Sequence, residues 1–217
     1  MSTETPFHRR HLPHFYPPDA IYFISSRLAD SLPPSVIERA RKERELLESQ
    51  RLEGKKVSSG LPPYIDELEW WEKVIERGNK NARWLADPRV ASLVAQSIHY
   101  RDGKDYDLVA YTIMPNHMHL VFGIGQYDLL ERPENAGTLS GKQLSRTMMS
   151  LKRHTALQAN KILGRTGPFW QDESYDHVVR DGEELARIIE YVLDNPVIAG
   201  LVDNRRDWQW SFSRFEL

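Results

Sequence analysis

The chain has 217 residues, 40% apolar and 28% charged, with a formal net charge of −2 at neutral pH. This is the composition of a soluble globular protein with room for an ordinary hydrophobic core. No run of about 18 apolar residues is available to cross a bilayer. The absence of cysteine removes disulfides and thiolate metal sites, leaving His, Asp, Glu and Asn as available ligands.

The N-terminal stretch with His8, Arg9, Arg10, His11 and His14 has no apolar core, which argues against a secretion signal and for a cytoplasmic protein. Its cations and histidines are expected to form a flexible or DNA-touching arm. Residues 19–27, β-branched and aromatic after two prolines, read as a first strand. Residues 36–52 and 65–77 read as helices separated by a loop at 54–63, and the second brings Trp70 and Trp71. With Trp84, these are expected to be core aromatics more than a base-stacking surface. Asp87-Pro88 opens a helix running to about His99, with proline at its favoured first position.

Residues 106–114 and 117–123 read as paired strands around Pro115-Asn116. A helix over 141–163 carries Leu144, Met148, Leu151, Thr155 and Leu157 at helical spacing. Residues 175–180 form a short strand. Asp181-Gly-Glu-Glu184 resembles a capping box and opens a helix over 182–195 that stops before Pro196. The order predicts an α+β protein: a ferredoxin-like antiparallel sheet with helices on one face. Residues 31–90 would be a helical insertion in the first crossover, and 1–217 a single domain.

Charge is distributed unevenly. Residues 135–171 contain no acidic side chain, yet include Lys142, Arg146, Lys152, Arg153, Lys161 and Arg165. A local basic face attracts phosphates whatever the total charge, although a charge run can also be a solvated helix face.

His117-Met118-His119 lies on a predicted strand, so its two imidazoles share one face while Met118, Leu120 and Phe122 point to the other. Two parallel imidazoles make an incomplete metal site with positions open to water or a phosphate oxygen. Tyr191 and Asn195, four residues apart, share a helix face. If that face covers the histidines, Asn195 can add an oxygen ligand and Tyr191 a hydroxyl. Each element also has a plainer reading: core histidines, a packing tyrosine, and an asparagine that merely ends a helix before proline.

Taken together, Met114-Pro-Asn-His-Met-His-Leu120, Gly167-Pro-Phe-Trp-Gln171, Tyr175-Asp-His-Val-Val-Arg180 and Ile188-Ile-Glu-Tyr-Val-Leu-Asp-Asn-Pro-Val197 resemble the REP-associated tyrosine transposases, relatives of the HUH single-strand transposases. His8-Arg-Arg-His-Leu-Pro-His14 and Ala20-Ile-Tyr-Phe-Ile24 also resemble one branch of that group. The resemblance covers residues 8–30 and about 100–212. It implies Mg or Mn held by His117, His119 and Asn195, with Tyr191 as nucleophile and Tyr175 as the weaker rival. The implied reaction is cutting and rejoining single-stranded hairpin DNA, a palindromic repeat, through a phosphotyrosine. Arg9, Arg10, Lys142, Arg146, Lys152 and Arg153 are the expected DNA contacts, and the protein is expected to be a monomer or homodimer. The alternatives are a non-catalytic hairpin-binding regulator and a phosphodiesterase in which water replaces the tyrosine. The His-x-Thr pairs of two-histidine phosphoesterases, His-Glu-x-x-His and a phosphate-loop glycine motif are absent from the sequence.

Overall fold

Alternation along the strands decides what each sheet face becomes. The computed structural model describes residues 7–9, 13–15, 20–32, 82–124, 141–172 and 174–215, together with 35, 38 and 42. In chain order these form β1 (Phe7–Arg9), β2 (Pro13–Phe15), β3 (Ala20–Arg27), α1 (Pro88–His99), β4 (Asp107–Ile113), β5 (His117–Ile124), α2 (Gly141–Ile162), β6 (Tyr175–Val178), α3 (Gly182–Ile198) and β7 (Ser211–Ser213). Short 3-10 turns occupy Trp84–Ala86 and Arg205–Asp207. No helix among the described residues is long and apolar enough to cross a membrane. Most of the expected insertion, including both of its helices beyond those single positions and Trp70 and Trp71, lies outside the described residues.

The main sheet has the order β6-β3-β5-β4-β7, every neighbour antiparallel. Its first four strands follow the ferredoxin-like arrangement expected from the element order, and β7 extends the edge. β1 and β2 pair separately, with Phe7 opposite Phe15, so part of the expected flexible arm is a hairpin.

On β5, Met118, Leu120 and Phe122 are buried against Val90, Val94 and Ile98 of α1 and Leu144, Met148 and Leu151 of α2. Burying such a side chain fully contributes about 1.5–3 kcal/mol, so this face supplies most of the hydrophobic stabilisation. The crossover helices α1 and α2 therefore share one face, as expected. The last helix differs. Ile188, Ile189 and Val192 of α3 pack with Phe23, Ala110 and Val121 on the opposite face, so the sheet is covered on both sides. An amphipathic pattern shows that α3 has an apolar side, but not which face of the sheet it meets.

The helix ends follow the local chemistry. Asp87 caps α1, its carboxylate accepting from Arg89 N–H at 2.9 Å. Asp181 caps α3 through Glu184 N–H at 2.7 Å. The buried Glu184 carboxylate accepts in turn from Arg180 N–H and meets His177 Nε2 at 3.0 Å. Contrary to the expected stop, α3 continues through Pro196 to Ile198. Proline lacks only its own N–H; Ala199 N–H still reaches Asn195 C=O at 2.9 Å. On α2, Leu157, expected in the core, is 56% exposed, whereas Thr155 is buried and accepts from Trp170 Nε1 at 2.8 Å.

Candidate active site

His117 and His119 enter the site from the start of β5, on the face covered by α3. Cross-strand register places Arg27 of β3 opposite His117, and both Ser25 of β3 and Thr112 of β4 opposite His119. Directly paired residues share a face, so a small polar row surrounds the imidazoles. His117, His119, Thr112 and Ser25 are all buried. The two imidazole centroids are 4.7 Å apart.

His117 Nδ1 lies 2.7 Å from Asn116 Oδ1. With Nδ1–H donating to that carbonyl, the lone pair falls on Nε2, and the ring is held by a contact typical of a ligand's outer shell. Asn116 is thus a functional candidate that the sequence reading passed over as a turn residue.

α3 supplies the other half. Asn195 is buried, and its Nδ2 lies 3.4 Å from His119 Nε2; Oδ1 meets no hydrogen-bond partner among the described residues. A buried unpartnered carbonyl costs about 1–3 kcal/mol. Turning the amide end over interchanges two atoms of similar size and brings Oδ1 to the imidazole. Two ligand atoms at that spacing can share one divalent cation at bonds of about 2.1 Å. Among the described residues no three His, Cys, Asp or Glu side chains converge on a metal position, so a third protein ligand here would be a donor of another kind, for which the Asn195 amide lies nearest His119. Two neutral imidazoles and an amide oxygen make a mixed nitrogen and oxygen donor set that a divalent cation can use, with positions left open.

Tyr191, one turn before Asn195, is partly exposed. Its ring centroid is 5.6 Å from that of His119 and 6.2 Å from that of Phe23. Phe23 also meets Tyr175 at 6.2 Å, so the rival tyrosine belongs to the same neighbourhood. Tyr175, however, is only 7% exposed, and β3 separates its strand from β5. A nucleophile has to meet its substrate, and Tyr191 is the more accessible of the two.

The expected basic contacts are placed elsewhere. α2 packs on the apolar face, so exposed Arg146 and Arg153 lie across the sheet from the histidines. The apolar stripe of α2 packs against α1 and the Met118 face, which leaves Arg146 and Arg153 at the surface on that side. Lys152 directs its ammonium at Gln171 C=O, Asp172 C=O and Ser174 Oγ. Arg9 is in β1 and Lys142 in the first turn of α2; their side chains, and all of Arg10, lie outside the described residues.

No family model matches the sequence. A Haemophilus influenzae protein named "Putative REP-associated tyrosine transposase" is 29% identical over 110 residues, which are 49% of this chain and 58% of that protein. The matched region thus spans little more than half of the curated relative. A solved structure of a REP-associated tyrosine transposase bound to a REP hairpin matches with a TM-score of 0.51 and 15% identity, over 94% of this chain and 82% of that one. This chain therefore has the fold of a REP-associated tyrosine transposase and sequence similarity to a relative bearing that name across about half its length.

Proposed function

We propose that the protein is a tyrosine transposase of the single-strand type, cutting and rejoining hairpin DNA on the α3 face of its sheet. The observation that carries this reading is the buried amide of Asn195 set against His119, with Tyr191 one turn earlier on the same helix. His117, His119 and Asn195 would hold Mg or Mn. Such a cation supplies electrostatic stabilisation of the phosphoryl oxygens as charge develops on them.

The remaining chemistry belongs to the protein. The ordinary pKa of a tyrosine hydroxyl, near 10, makes it a weak nucleophile at neutral pH without activation. The Tyr191 oxygen forms a bond to phosphorus as the phosphorus–O3′ bond breaks. The leaving 3′-oxygen takes up a proton, and the tyrosine gives up its own to solvent or a base. The product is a 5′-phosphotyrosine that retains the phosphoester linkage, so reversal by another 3′-hydroxyl reseals the strand without a nucleotide cofactor. Phe23, packed at 6.2 Å against Tyr191, restricts where the phenol ring can sit. Arg146 and Arg153 would contact phosphates of the hairpin beyond the reaction face.

The test is cleavage of an end-labelled imperfect hairpin in Mg or Mn. Wild type should give a shortened strand and a protein–DNA adduct on a denaturing gel. Tyr191→Phe should abolish both while leaving hairpin affinity within about twofold, since it removes one hydroxyl and little shape. Hairpin binding without cleavage by wild type would replace this reading with that of a regulator. Cleavage retained by Tyr191→Phe would point to water or Tyr175.

A further inference from the structure

The two rows of the sheet that carry the histidines hold little charge. In the row through His119, the residues paired across the strands are Tyr175, Ser25, Thr112 and Ser211, all neutral. His117 pairs with Arg27 at the end of β3, the one side chain of fixed charge among the paired residues of either row. The amide of Asn195 adds no charge either. A phosphodiester bound on this face brings one negative charge, and attack on its phosphorus concentrates charge on the nonbridging oxygens. A site built from neutral groups needs a cation of its own there.

The backbone fixes where Arg27 stands. Its C=O accepts from Gln171 N–H at 2.9 Å, and the next residue, Leu28, donates its N–H to Asn116 C=O at 2.9 Å. Asn116 is also the residue whose side chain meets His117 Nδ1. Arg27 and the His117 ring are therefore set by one junction between β3 and β5. Residues paired in this way stand about 5 Å apart at Cβ and share a face. The Arg27 side chain is half-buried, and its Nη1 lies 3.5 Å from Ser31 Oγ, beyond the end of β3. Five N–H donors let a guanidinium hold a wall residue and an anion at once, and its planar fork matches two phosphate oxygens.

We propose that Arg27 is a catalytic residue of strand transfer, donating to a nonbridging oxygen of the scissile phosphate as Tyr191 attacks. The assignment rests on the single-strand transposase reading and adds a group to its chemistry. The Tyr191 oxygen bonds to phosphorus while the phosphorus–O3′ bond breaks, and Arg27 keeps its protons throughout. Its charge answers charge that grows only in the transition state, so the contact acts on rate more than on affinity.

The experiment compares single-turnover cleavage of two imperfect hairpins that differ in one phosphate. One has an ordinary phosphodiester at the cleavage position, mapped on wild type; the other has a methylphosphonate there, in which a methyl group replaces a charged oxygen. Arg27→Ala should cleave the phosphodiester about a hundredfold more slowly than wild type, the scale of losing one preorganised donor. Its affinity for the uncleaved hairpin should stay within about threefold. On the methylphosphonate the two proteins should differ by no more than about threefold, because the charge that Arg27 answers is gone. Arg27→Lys, which keeps the charge but not the fork, should lose about tenfold on the phosphodiester. Methylguanidinium added to Arg27→Ala should restore part of the phosphodiester rate and leave wild type unchanged, a response that a folding defect would not give. If the methylphosphonate resists both proteins, the methylguanidinium response decides. Equal rates on the phosphodiester, a defect of one size on both substrates, an affinity loss as large as the rate loss, or no response to methylguanidinium would each overturn the role of Arg27. A wild-type Tyr191 adduct alongside any of these would leave the transposase reading standing. Absence of any wild-type adduct would overturn that reading, and the role of Arg27 with it.

Discussion

On β5, Met118, Leu120 and Phe122 meet α1 and α2, whereas His117, His119 and Val121 lie on the face that α3 covers. The same eight-residue strand thus contributes an apolar interior on one side and buried polar groups on the other. A one-residue slip in register would exchange the two sets. The apolar face therefore fixes the register that puts the imidazoles opposite Ser25 and Thr112. The proposed function divides stability and chemistry between the faces, and substitutions should separate them.

The largest effect is expected on the α3 face. His117→Ala or His119→Ala should lower hairpin cleavage by at least about a hundredfold, because even outer-shell changes at metal sites cost about 10–100-fold. Excess EDTA should do the same to wild type, and activity that persists in chelator would show that no cation is used. A loss explained wholly by unfolding, read from circular dichroism of the variants, would break the division between faces.

The converse comes from the other side of β5. Leu120→Ala should lower unfolding free energy by about 2–5 kcal/mol, measured by urea titration, because Leu120 is fully buried against α1 and α2. Cleavage per folded molecule should stay near the wild-type value. A cleavage defect as large as that of His119→Ala, in protein shown to be folded, would mean that the two faces are not separable.

Smaller changes sharpen the comparison within the polar face. Asn116→Ala removes the carbonyl beside His117 Nδ1 and should weaken Mn binding by about tenfold, measured calorimetrically. Asn195→Ala should fall between this and the histidine variants, since a neutral amide oxygen is a weaker ligand than imidazole. Unchanged Mn affinity in both asparagine variants would confine the ligand set to the histidines.

Much of this architecture was legible locally. Strict alternation placed β5 to within a residue, and Asp87-Pro88 marked the start of α1. The histidine pair could be read as lying on one face for the same reason. Ser25 and Thr112 could not be assigned to the site, because their approach to His119 depends on pairing between segments distant in sequence. The sequence could not say which sheet face Arg146 and Arg153 lie behind, because the pattern of α2 shows an apolar side but not what it covers. Three-residue β7 gave too short a signal to be read as a strand. The end of the helix that carries Asn195 was misread. Pro196 interrupts one hydrogen bond without ending α3.

Strand transfer is proposed to occur at Tyr191, on the helix over the polar face, and peptide mapping of the covalent protein–DNA adduct tests that most directly. Wild-type protein trapped on a hairpin substrate, digested with protease and nuclease and sequenced by mass spectrometry, should carry its nucleotide remnant on Tyr191. A remnant on Tyr175, or efficient strand cleavage with no adduct at any tyrosine, would contradict it.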